Sequence, residues 1–591
     1  MEFPMKLNDI LRKAIAVLTV TSCMWLAAAA QNVRSLSVWK GGAASEYAVY
    51  SIDSLSIRDD GSMRIVGLYD DDTLETTQVD SVTIHYPAIV STNTKSFTEL
   101  QEIFDGLDIK SSSAAYKAPS KHNPLMGHKF GADPFGMVDG DRLYVYMTDD
   151  HLYRSTDGKP ITGSWDYSDC KNVVIISSED LVNWTDHGAQ PVAGVGGSGP
   201  ASWASNMWAP CAAHKTIDGK ERYFLYFADS SNGIGVLYAD SPWGPWKHPD
   251  NMNQLISRST PNCSQSAVPW LFDPAVLVDD DGKAYLYFGG GIDGLDSADP
   301  RSARCVQLGD DMMSIVGTPV EIAPKYLYED AGINKVGGKY LYSYCSNFNA
   351  GSNDPGSANI AYMKSDSPLG PFTYVGKIFD NPVGAGWAGG GGNNHHAIVE
   401  FKGKYYILYH TRTLKAAMRS TTPDINDNVE LRSTCMSEIK VDVANSKINY
   451  LSASSIKEEG VTQIKNFDPY KTVPGATMAW EYNVTTSFHK GSTPSKTYCT
   501  AEMKTGSWMC LSNVDFRNGP VGFTAQVKGK GTIKICSKYP KTGAVCVLAE
   551  VPNYSSYKTI TVPVVESFTG VKAKIYIVAE GDISIKSWSF F

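Results

Sequence analysis

The sequence has few charged residues and no strongly basic stretch. Charged residues make up 19% of its 591 residues, and the net charge at pH 7 is −9. Proteins that bind nucleic acid neutralise its phosphates with clustered lysine and arginine. The composition therefore argues against nucleic acid as a partner and favours a neutral polymer.

The eleven cysteines show neither a CxxC pair nor a cysteine/histidine spacing typical of zinc sites. A structural zinc ion is therefore not expected. Cys499, Cys510, Cys536 and Cys546 cluster near the C-terminus. One or two disulfides and a set of buried free thiols are both compatible with this cluster.

Long apolar runs are also missing, except for one at the N-terminus. Three basic residues precede an apolar run at 14–26, and four alanines at 27–30 offer a cleavage site. This order predicts an export signal over residues 1–30. We therefore expect a periplasmic or extracellular protein without a membrane span, with a lipid anchor on Cys23 as the alternative.

Helical periodicity is nearly absent from the rest of the chain. Short aromatic and β-branched segments separated by Gly, Pro and Asp turns predict an all-β fold. Changes of composition predict the following divisions after the export signal: a small β-rich segment at 31–91, a linker at 92–122, a central domain at 123–452, and a β-sandwich of the jelly-roll type at 453–591.

The central domain contains a unit that is repeated five times. Each unit starts with a short group of residues, here called its head, and an aromatic strand such as Arg142-Leu-Tyr-Val-Tyr follows. The heads recur roughly every 55–75 residues, which predicts a five-bladed β-propeller. Its innermost strands converge on the axis, so the heads should form one ring. The five heads are Asp133-Pro134, Trp208-Ala-Pro, Asp273-Pro274, Glu329-Asp330 and His395-His396.

Acidic residues gathered at one end of such a ring predict a pocket that hydrolyses glycosidic bonds. In hydrolysis with inversion, one carboxyl group protonates the leaving oxygen, and another deprotonates a water on the far face of the sugar. The two lie about 6.5–9.5 Å apart. Asp133 and Glu329 stand on non-adjacent blades and form the natural pair. Asp273 is expected to raise the pKa of Glu329 by like-charge repulsion.

The motifs around the heads resemble glycoside hydrolase family 43. They are Phe130-Gly-Ala-Asp-Pro-Phe, Met207-Trp-Ala-Pro, Phe272-Asp-Pro-Ala-Val-Leu-Val, Tyr328-Glu-Asp-Ala-Gly-Ile and Asn394-His-His-Ala-Ile-Val, in the order of the family. The resemblance implies a five-bladed propeller, an inverting mechanism and chemistry that requires no cofactor. It implies Asp133 as general base, Asp273 as pKa modulator and Glu329 as general acid. Because Asp330 directly follows, an exchange of roles between Glu329 and Asp330 stays open.

Further residues are expected to contact substrate or metal. Trp208, His395 and Arg432 are the expected substrate contacts. The resemblance also implies that His396 helps to hold a calcium ion or a water in the pore, and that Arg432 approaches the acidic residues.

The C-terminal segment resembles a family 6 carbohydrate-binding module. The resemblance rests on Gly506-Ser-Trp-Met-Cys and on the closing Ser584-Ile-Lys-Ser-Trp-Ser-Phe. Such modules often grip sugar with an aromatic and an Asn near the last strand, whereas this chain has Glu580-Gly-Asp there. A purely structural sandwich is therefore the alternative.

Together these features predict a secreted, monomeric glycoside hydrolase that acts on plant cell-wall polysaccharide (arabinoxylan, arabinan or xylan). The expected activity is removal of α-L-arabinofuranosyl groups from arabinoxylan or arabinan. An exo-acting β-1,4-xylosidase is the alternative within the class, because the two sugars present similar hydroxyl groups. A carbohydrate-binding propeller without turnover is the alternative from another class, and three acidic residues in register argue against it.

Overall fold

The computed structural model describes residues 89–153, 166–291, 297–390, 392–420 and 430–591, together with six strands that precede them. The predicted export signal and Cys23 lie outside these residues. The chain forms two compact units, residues 1–90 and residues 91–591. Neither of the α-helices in the described part, α1 (Phe97–Asp105) and α2 (Thr413–Arg419), is long and apolar enough to cross a bilayer.

The first unit contains two three-stranded antiparallel sheets, in agreement with a β-rich N-terminal segment. Its strands are β1 (Ser35–Lys40), β2 (Ala43–Ala48), β3 (Ile52–Ile57), β4 (Met63–Gly67), β5 (Thr73–Thr76) and β6 (Ser81–His85). The strand orders are β2–β1–β6 and β3–β4–β5.

The second unit contains five antiparallel blades, which follow helix α1 in the chain. The strands are β7 (Ala132–Asp139), β8 (Arg142–Thr148), β9 (Asn172–Ser178) and β10 (Trp184–Pro191) in blade 1; β11 (Trp208–Ile217), β12 (Lys220–Ala228) and β13 (Ile234–Ala239) in blade 2; β14 (Ala275–Val278), β15 (Ala284–Phe288), β16 (Ala303–Leu308) and β17 (Ile315–Ile322) in blade 3; β18 (Leu327–Val336), β19 (Lys339–Ser346), β20 (Ile360–Ser365) and β21 (Thr373–Phe379) in blade 4; and β22 (His396–Phe401), β23 (Lys404–Thr411) and β24 (Ser433–Ile439) in blade 5.

The blades close into a ring. The first strand of each blade contacts the first strand of the next, and β22 contacts β7. Residues that precede β7 pair with the last blade, because Leu125 N donates to Thr434 O at 2.8 Å and Gly131 N donates to Arg432 O at 3.0 Å. The predicted five-bladed propeller is therefore confirmed.

The aromatic strands of the repeat are the second strands of the blades. They are buried on both faces because each blade packs against two neighbours, so they lack the alternation of half-buried strands. A tyrosine in three of them donates to a loop carbonyl of the next blade: Tyr146 to Pro242 at 2.7 Å, Tyr226 to Met312 at 2.8 Å, and Tyr287 to Pro368 at 2.7 Å. The repeated aromatic motif thus stabilises the contact between successive blades.

The chain continues into a β-sandwich with long strands. After a hairpin of β25 (Val441–Asp442) and β26 (Lys447–Ile448), the strands are β27 (Val473–Pro474), β28 (Thr477–Met478), β29 (Trp480–His489), β30 (Tyr498–Asp515), β31 (Gly522–Ser537), β32 (Val545–Pro563) and β33 (Val571–Phe590). The strand order is β29–β30–β33–β31–β32. Register shifts at Gly529 and Gly531 bend β31, as β-bulges do, around an apolar core. The predicted fold class, an all-β chain with a propeller and a sandwich, is confirmed.

The segment 92–122, expected as a linker, contains helix α1. Ser96 and Glu99 form a capping box at its start. Leu100 and Phe104 are buried in one cluster with Trp508 of the sandwich. The segment is therefore packed along the C-terminal module, and the predicted domain boundaries stay predictions.

The sandwich is joined to blade 1 by β28, which pairs with β10 at the outer edge of the blade. Asp186 of β10 is buried at this junction. Its Oδ2 accepts from Lys129 Nζ at 2.7 Å and Thr486 Oγ1 at 2.7 Å, and lies 2.9 Å from His128 Nε2. Burial alone would raise the pKa of Asp186, but Lys129 and His128 hold it well below its usual range.

Asp186→Ala is expected to lower the free energy of unfolding by about 3 kcal/mol, because it leaves Lys129, whose side chain is only 17% exposed, without its counter-charge. Urea denaturation measures this loss. Asp310→Ala is the control, since that fully exposed side chain pairs with Lys215 at the surface, and solvent screening should leave its removal with little effect on stability. Equal losses in the two variants would show that Asp186 does not stabilise the junction.

All ten cysteines of the described residues are buried and unpaired. Of the two alternatives for the C-terminal cluster, the structure therefore contains buried free thiols rather than disulfides. Burial raises the pKa of both Cys499 and Cys510, which keeps these groups protonated and unreactive.

Candidate active site

A cavity of about 420 Å³ opens where the five heads meet. Six of the seven residues predicted for the site line it: Asp133, Trp208, Asp273, Glu329, His395 and Arg432. The exception is His396. The other residues that line the cavity are Tyr167, Ala209, Ser231, Trp270, Phe272, Tyr328, Phe348, Asn393 and Glu430.

Four of the five heads share an unusual backbone conformation. Asp133 and Asp273 both have φ of 49°, Asp330 has φ of 71°, and Ala209, which follows Trp208, has φ of 39°. The antiparallel registers of β7, β11 and β18 shift at these points. Positive φ is rare outside glycine and costs roughly 1–3 kcal/mol where it is strained. Corresponding residues of several blades are therefore held in a strained form that supports the site.

Asp133 is surrounded by donors and positive charge. Its Oδ1 accepts from Arg432 Nη1 at 2.7 Å, and its Oδ2 accepts from Thr148 Oγ1 at 2.8 Å. Burial alone would raise the pKa of Asp133, but Arg432, His410 and His395 hold it far below its usual range. Asp133 is therefore ionised, as a general base must be.

The support of Asp133 includes His410 and Asp150, which the sequence analysis missed. Asp133 N donates to His410 Nδ1 at 3.2 Å, and His410 Nε2 lies 3.1 Å from Asn393 O. Burial lowers the pKa of His410, and the contact with Asp133 opposes this shift. Asp150 accepts from Arg432 Nε and Nη2, both at 2.9 Å.

Glu329 faces the cavity in the opposite protonation state. Burial first, and the carboxyl group of Asp273 second, raise the pKa of Glu329 well above its ordinary value. Its Oε1 is buried and has no hydrogen-bond partner among the described residues. Burial also raises the pKa of Asp273 to about 7, and its Oδ2 accepts from Asp330 N at 2.9 Å. Glu329 is therefore a carboxylic acid that can give up a proton.

His395 lies between the carboxyl groups. Its Nδ1 is 3.6 Å from Asp133 Oδ1 and 3.7 Å from Asp273 Oδ2, and its Nε2 is 3.2 Å from Asp330 Oδ1. Burial alone would lower the pKa of His395, but Asp330, Asp133 and Asp273 raise it to about 9. At neutral pH the ring is an imidazolium that offsets part of the negative charge of the acidic residues.

Asp330 and His396 point away from the cavity. His396 Nδ1 lies 2.5 Å from Asp330 Oδ2, and His396 Nε2 lies 2.8 Å from Ser343 Oγ. Because protein groups occupy both ring nitrogens, His396 does not fit the predicted role of calcium ligand. Within the described residues, no group of three or more His, Cys, Asp or Glu side chains could hold a metal ion. Asp330 is fully buried, so Glu329 is the carboxyl group of this head that lines the cavity.

Trp208 and Arg432 have different surroundings. Trp208 forms part of the wall, and its Nε1 donates to Tyr167 O at 2.9 Å. Arg432 is buried by Asp133, Asp150 and the Tyr167 ring, whose centroid lies 5.6 Å from its guanidinium carbon. Burial alone would lower the pKa of Arg432, but the two carboxylates raise it. Its contacts are those of a residue that orients the base.

Asp273→Asn is expected to move the alkaline limb of the kcat/KM profile to lower pH. Glu329 must be protonated, so activity is lost as pH rises through its pKa. Removing the neighbouring negative charge lowers that pKa. The pH profile on a small glycoside measures the shift, with Asp281→Asn in an exposed turn of the same blade as control. An unchanged or higher alkaline limb would contradict this relation between Asp273 and Glu329.

Comparison with known proteins gives the family. The model of glycosyl hydrolases family 43 matches residues 122–442. An arabinoxylan arabinofuranohydrolase of Paenibacillus polymyxa is 38% identical over 84% of this chain and 78% of its own length. One from Bacillus subtilis strain 168 is 41% identical over 70% of this chain and 81% of its own length.

A solved structure agrees with the sequence matches. The arabinoxylan arabinofuranohydrolase from Bacillus subtilis, crystallised in complex with cellotetraose, superposes with a TM-score of 0.73 at 37% identity. The match covers 81% of this chain and 99% of that chain. The five-bladed propeller and the carboxyl groups in its pore are consistent with these matches. This chain belongs to glycosyl hydrolase family 43, a family of inverting glycoside hydrolases.

Proposed function

We propose that this chain removes α-L-arabinofuranosyl groups from arabinoxylan with inversion of configuration. The observation that carries the proposal is the pair of carboxyl groups in one cavity, Asp133 bonded to Arg432 and Glu329 buried with no hydrogen-bond partner for its Oε1 among the described residues. These surroundings lower the pKa of Asp133 and raise the pKa of Glu329. Two residues whose environments drive their pKa values apart are suited to be base and acid of one reaction.

In this proposal Asp133 takes a proton from a water that attacks the anomeric carbon. Glu329 gives its proton to the glycosidic oxygen as the bond breaks, so the polysaccharide leaves as an alcohol. Arg432 and His410 hold Asp133 in place, and the positive charge of His395 stabilises the carboxylate form of the base. Trp208 borders the sugar. No cofactor takes part in these steps.

The substrate is proposed from two lines of support. The relatives at 38% and 41% identity are both arabinoxylan arabinofuranohydrolases, and they align over most of this chain. The cavity of about 420 Å³ is of the size that encloses a small ligand such as one sugar ring. A pocket that holds a single glycone fits removal of side groups from a polymer.

The experiment compares arabinoxylan, arabinan and linear xylan, together with 4-nitrophenyl α-L-arabinofuranoside and β-D-xyloside. We expect arabinose from arabinoxylan, and β-arabinofuranose as the first product seen by NMR. Xylose from linear xylan would instead show the β-xylosidase alternative. No product from any of these substrates would favour a binding protein without turnover.

Export and the C-terminal module belong to the same proposal. A polymer substrate suits a monomeric protein exported by residues 1–30, and N-terminal sequencing of the mature protein tests the cleavage. The sandwich and its Gly506-Ser-Trp-Met-Cys motif support a module of the carbohydrate-binding family 6 type. Affinity electrophoresis of the full chain in gels that contain xylan tests sugar binding.

A further inference from the structure

The C-terminal module differs in charge from the rest of the chain. Residues 453–591 contain 16 Lys and Arg residues against 10 Asp and Glu residues, which gives a net charge of +6. Residues 1–452 contain 37 against 52, which gives a net charge of −15. The overall charge of −9 hides this difference. Such an asymmetry within one chain indicates an anionic partner for the basic part.

The two outer faces of the sandwich differ in what covers them. Helix α1 packs on the halves of the long strands that carry Trp508, Leu548 and Tyr576. The other halves turn side chains such as Met503 and Ile585 into the core, so the alternate side chains form the second outer face. Five partly exposed aromatic and basic side chains lie together on this second face. This group, here called the basic aromatic patch, consists of His489, Tyr498, Lys528, Tyr557 and Lys586.

The rings of the patch meet above the sheet. Strands β30 and β32 are separated by β33 and β31, which places them about 14 Å apart. The ring centroids of Tyr498 and Tyr557 are nevertheless 6.1 Å apart, and the His489 ring stacks on Tyr498 at 4.8 Å. Tyr557 Oη lies 2.7 Å from Ser584 Oγ of β33. The two tyrosines thus lean toward each other across the sheet, and their positions are fixed before a ligand binds, which favours binding.

Two ammonium groups lie over these rings. Lys586 Nζ is 4.1 Å from the centroid of the Tyr498 ring, and Lys528 Nζ is 5.6 Å from that of Tyr557. These distances are within the range of cation–π contacts. In the part of the chain that the structure describes, neither ammonium group has a hydrogen-bond or ion-pair partner. The rings hold both positive charges in place while the N–H donors stay free for a ligand.

Nearby carboxylates are already offset by groups of the protein. Glu502 Oε1 accepts from Thr500 Oγ1 at 2.6 Å and from Ser584 Oγ at 2.8 Å. Asp582, further along β33, stands opposite Lys530 of β31. Two lysines against the one glutamate leave the patch with a net positive charge. Hydroxyl groups beside the ammonium groups add partners for the hydroxyl groups of a sugar.

We infer that the basic aromatic patch binds a polysaccharide whose side groups are uronic acids. A uronic acid is a pyranose ring that carries a carboxylate. Its carboxylate accepts charge-assisted hydrogen bonds from Lys528 and Lys586, and its apolar ring surface contacts the tyrosines. The inference rests on the proposed function for the choice of a polysaccharide, whereas the patch itself lies on the sandwich and not in the catalytic cavity.

Affinity electrophoresis of the full chain tests the ligand class. The gels contain glucuronoxylan, the same polymer after chemical reduction of its carboxyl groups, or poly-L-glutamate as an anionic polymer without sugar. We expect retention by glucuronoxylan. The dissociation constant should be about tenfold higher for the reduced polymer, the scale of losing a hydrogen bond to a charged group. Poly-L-glutamate should also bind more weakly than glucuronoxylan, because it offers carboxylates without pyranose rings.

The double variant Lys528→Met/Lys586→Met tests the site. It removes both charges and keeps the side-chain length, so the dissociation constant for glucuronoxylan should rise about tenfold. Lys528→Arg/Lys586→Arg keeps the charges and should retain binding. The matched control is Lys538→Met/Lys572→Met, which removes two lysines of the same module that also lie over aromatic rings, at 5.7 and 5.6 Å. All three variants should hydrolyse 4-nitrophenyl α-L-arabinofuranoside at the wild-type rate.

Four results would each overturn the inference. Wild-type protein that is not retained by glucuronoxylan has no such site. Equal binding of the native and reduced polymers would show a site for neutral sugar. Equal binding of poly-L-glutamate would show a site for any polyanion. Equal weakening in the patch variant and its control would show that net charge, and not the patch, determines binding. Failure of the proposed function is seen separately, as the absence of arabinose release from arabinoxylan by wild type, whatever the gels show.

Discussion

Asp133→Asn is expected to lower kcat/KM by about 10²–10⁴-fold on every substrate, whatever its leaving group. The amide keeps the shape of the side chain and its bond from Thr148, but it cannot accept the proton of the attacking water. Water attack is required for all substrates, so a better leaving group does not rescue the variant. Initial rates on arabinoxylan and on 4-nitrophenyl α-L-arabinofuranoside measure the two losses.

Asp141→Asn is the matched control for this variant, because Asp141 lies exposed in the turn that follows β7. It should leave both rates unchanged. A loss for Asp133→Asn on arabinoxylan alone would contradict the role of base. The ion pair of Arg432 with Asp133 also makes a prediction for the acid limb of the pH–rate profile. Arg432 helps to hold the pKa of Asp133 well below the ordinary range of an aspartate, so Asp133 stays ionised at acidic pH. Activity at acidic pH should therefore not be limited by protonation of Asp133.

The sequence predicts much of the site because the propeller repeats one geometry. Asp133, Trp208, Asp273, Glu329 and His395 occur at one place in successive units, and a closed ring brings that place to the axis five times. Each position is thus fixed by topology rather than by loop conformation. The aromatic strands could be predicted for the same reason. Each is the second strand of a blade and packs between two neighbouring blades, so the same apolar pattern recurs in every unit.

His395 and Glu329 face the pore, whereas His396 and Asp330 contact each other behind it. The simple alternation of side chains along an extended strand does not explain this arrangement. Asp330 has φ of 71° where the register of β18 shifts, and His395 precedes the first residue of β22. Which residue of each pair lines the pore therefore depends on local irregularities that the sequence pattern does not show.

The sequence analysis did not select Thr148, Asp150 and His410, although they support Asp133 directly or through Arg432. They lie at or just after the ends of second strands, in Met147-Thr-Asp-Asp and Tyr409-His-Thr, and not in the heads. Antiparallel pairing returns the end of each second strand to the level of the head. Polar residues at the ends of the second strands could therefore have been included among the predicted site residues. Helix α1 was missed although its segment carries a capping box and an apolar face.

The Arg432 interactions could not be predicted from spacing. Its backbone and side chain reach Asp133 and Asp150 because Gly131 pairs with Arg432 where the ring closes. The chain must close on itself before these residues meet, and they are about 300 positions apart in sequence. Only the resemblance to the family indicated that Arg432 approaches the acidic residues.

Glu329→Gln is expected to cause a loss that depends on the leaving group. A sugar hydroxyl leaves poorly as an alkoxide, so arabinoxylan turnover should fall by about 10²–10⁴-fold without the proton of Glu329. A 4-nitrophenolate leaves without protonation, so 4-nitrophenyl α-L-arabinofuranoside turnover should fall far less. The ratio of the two losses is the measurement. Because the amide side chain of this variant does not titrate, the alkaline limb of the aryl glycoside profile should also disappear.

Glu438→Gln, at the exposed position of the otherwise buried outer strand of blade 5, is the matched control and should change the turnover of neither substrate. Equal losses of the Glu329 variant on both substrates would mean that Glu329 is not the acid. Asp330 could not then take its place, because its two carboxyl oxygens already contact His395 and His396 behind the cavity wall. Such a result would instead direct attention to Asp273, whose pKa of about 7 makes it the remaining carboxyl group of the cavity that is partly protonated at neutral pH.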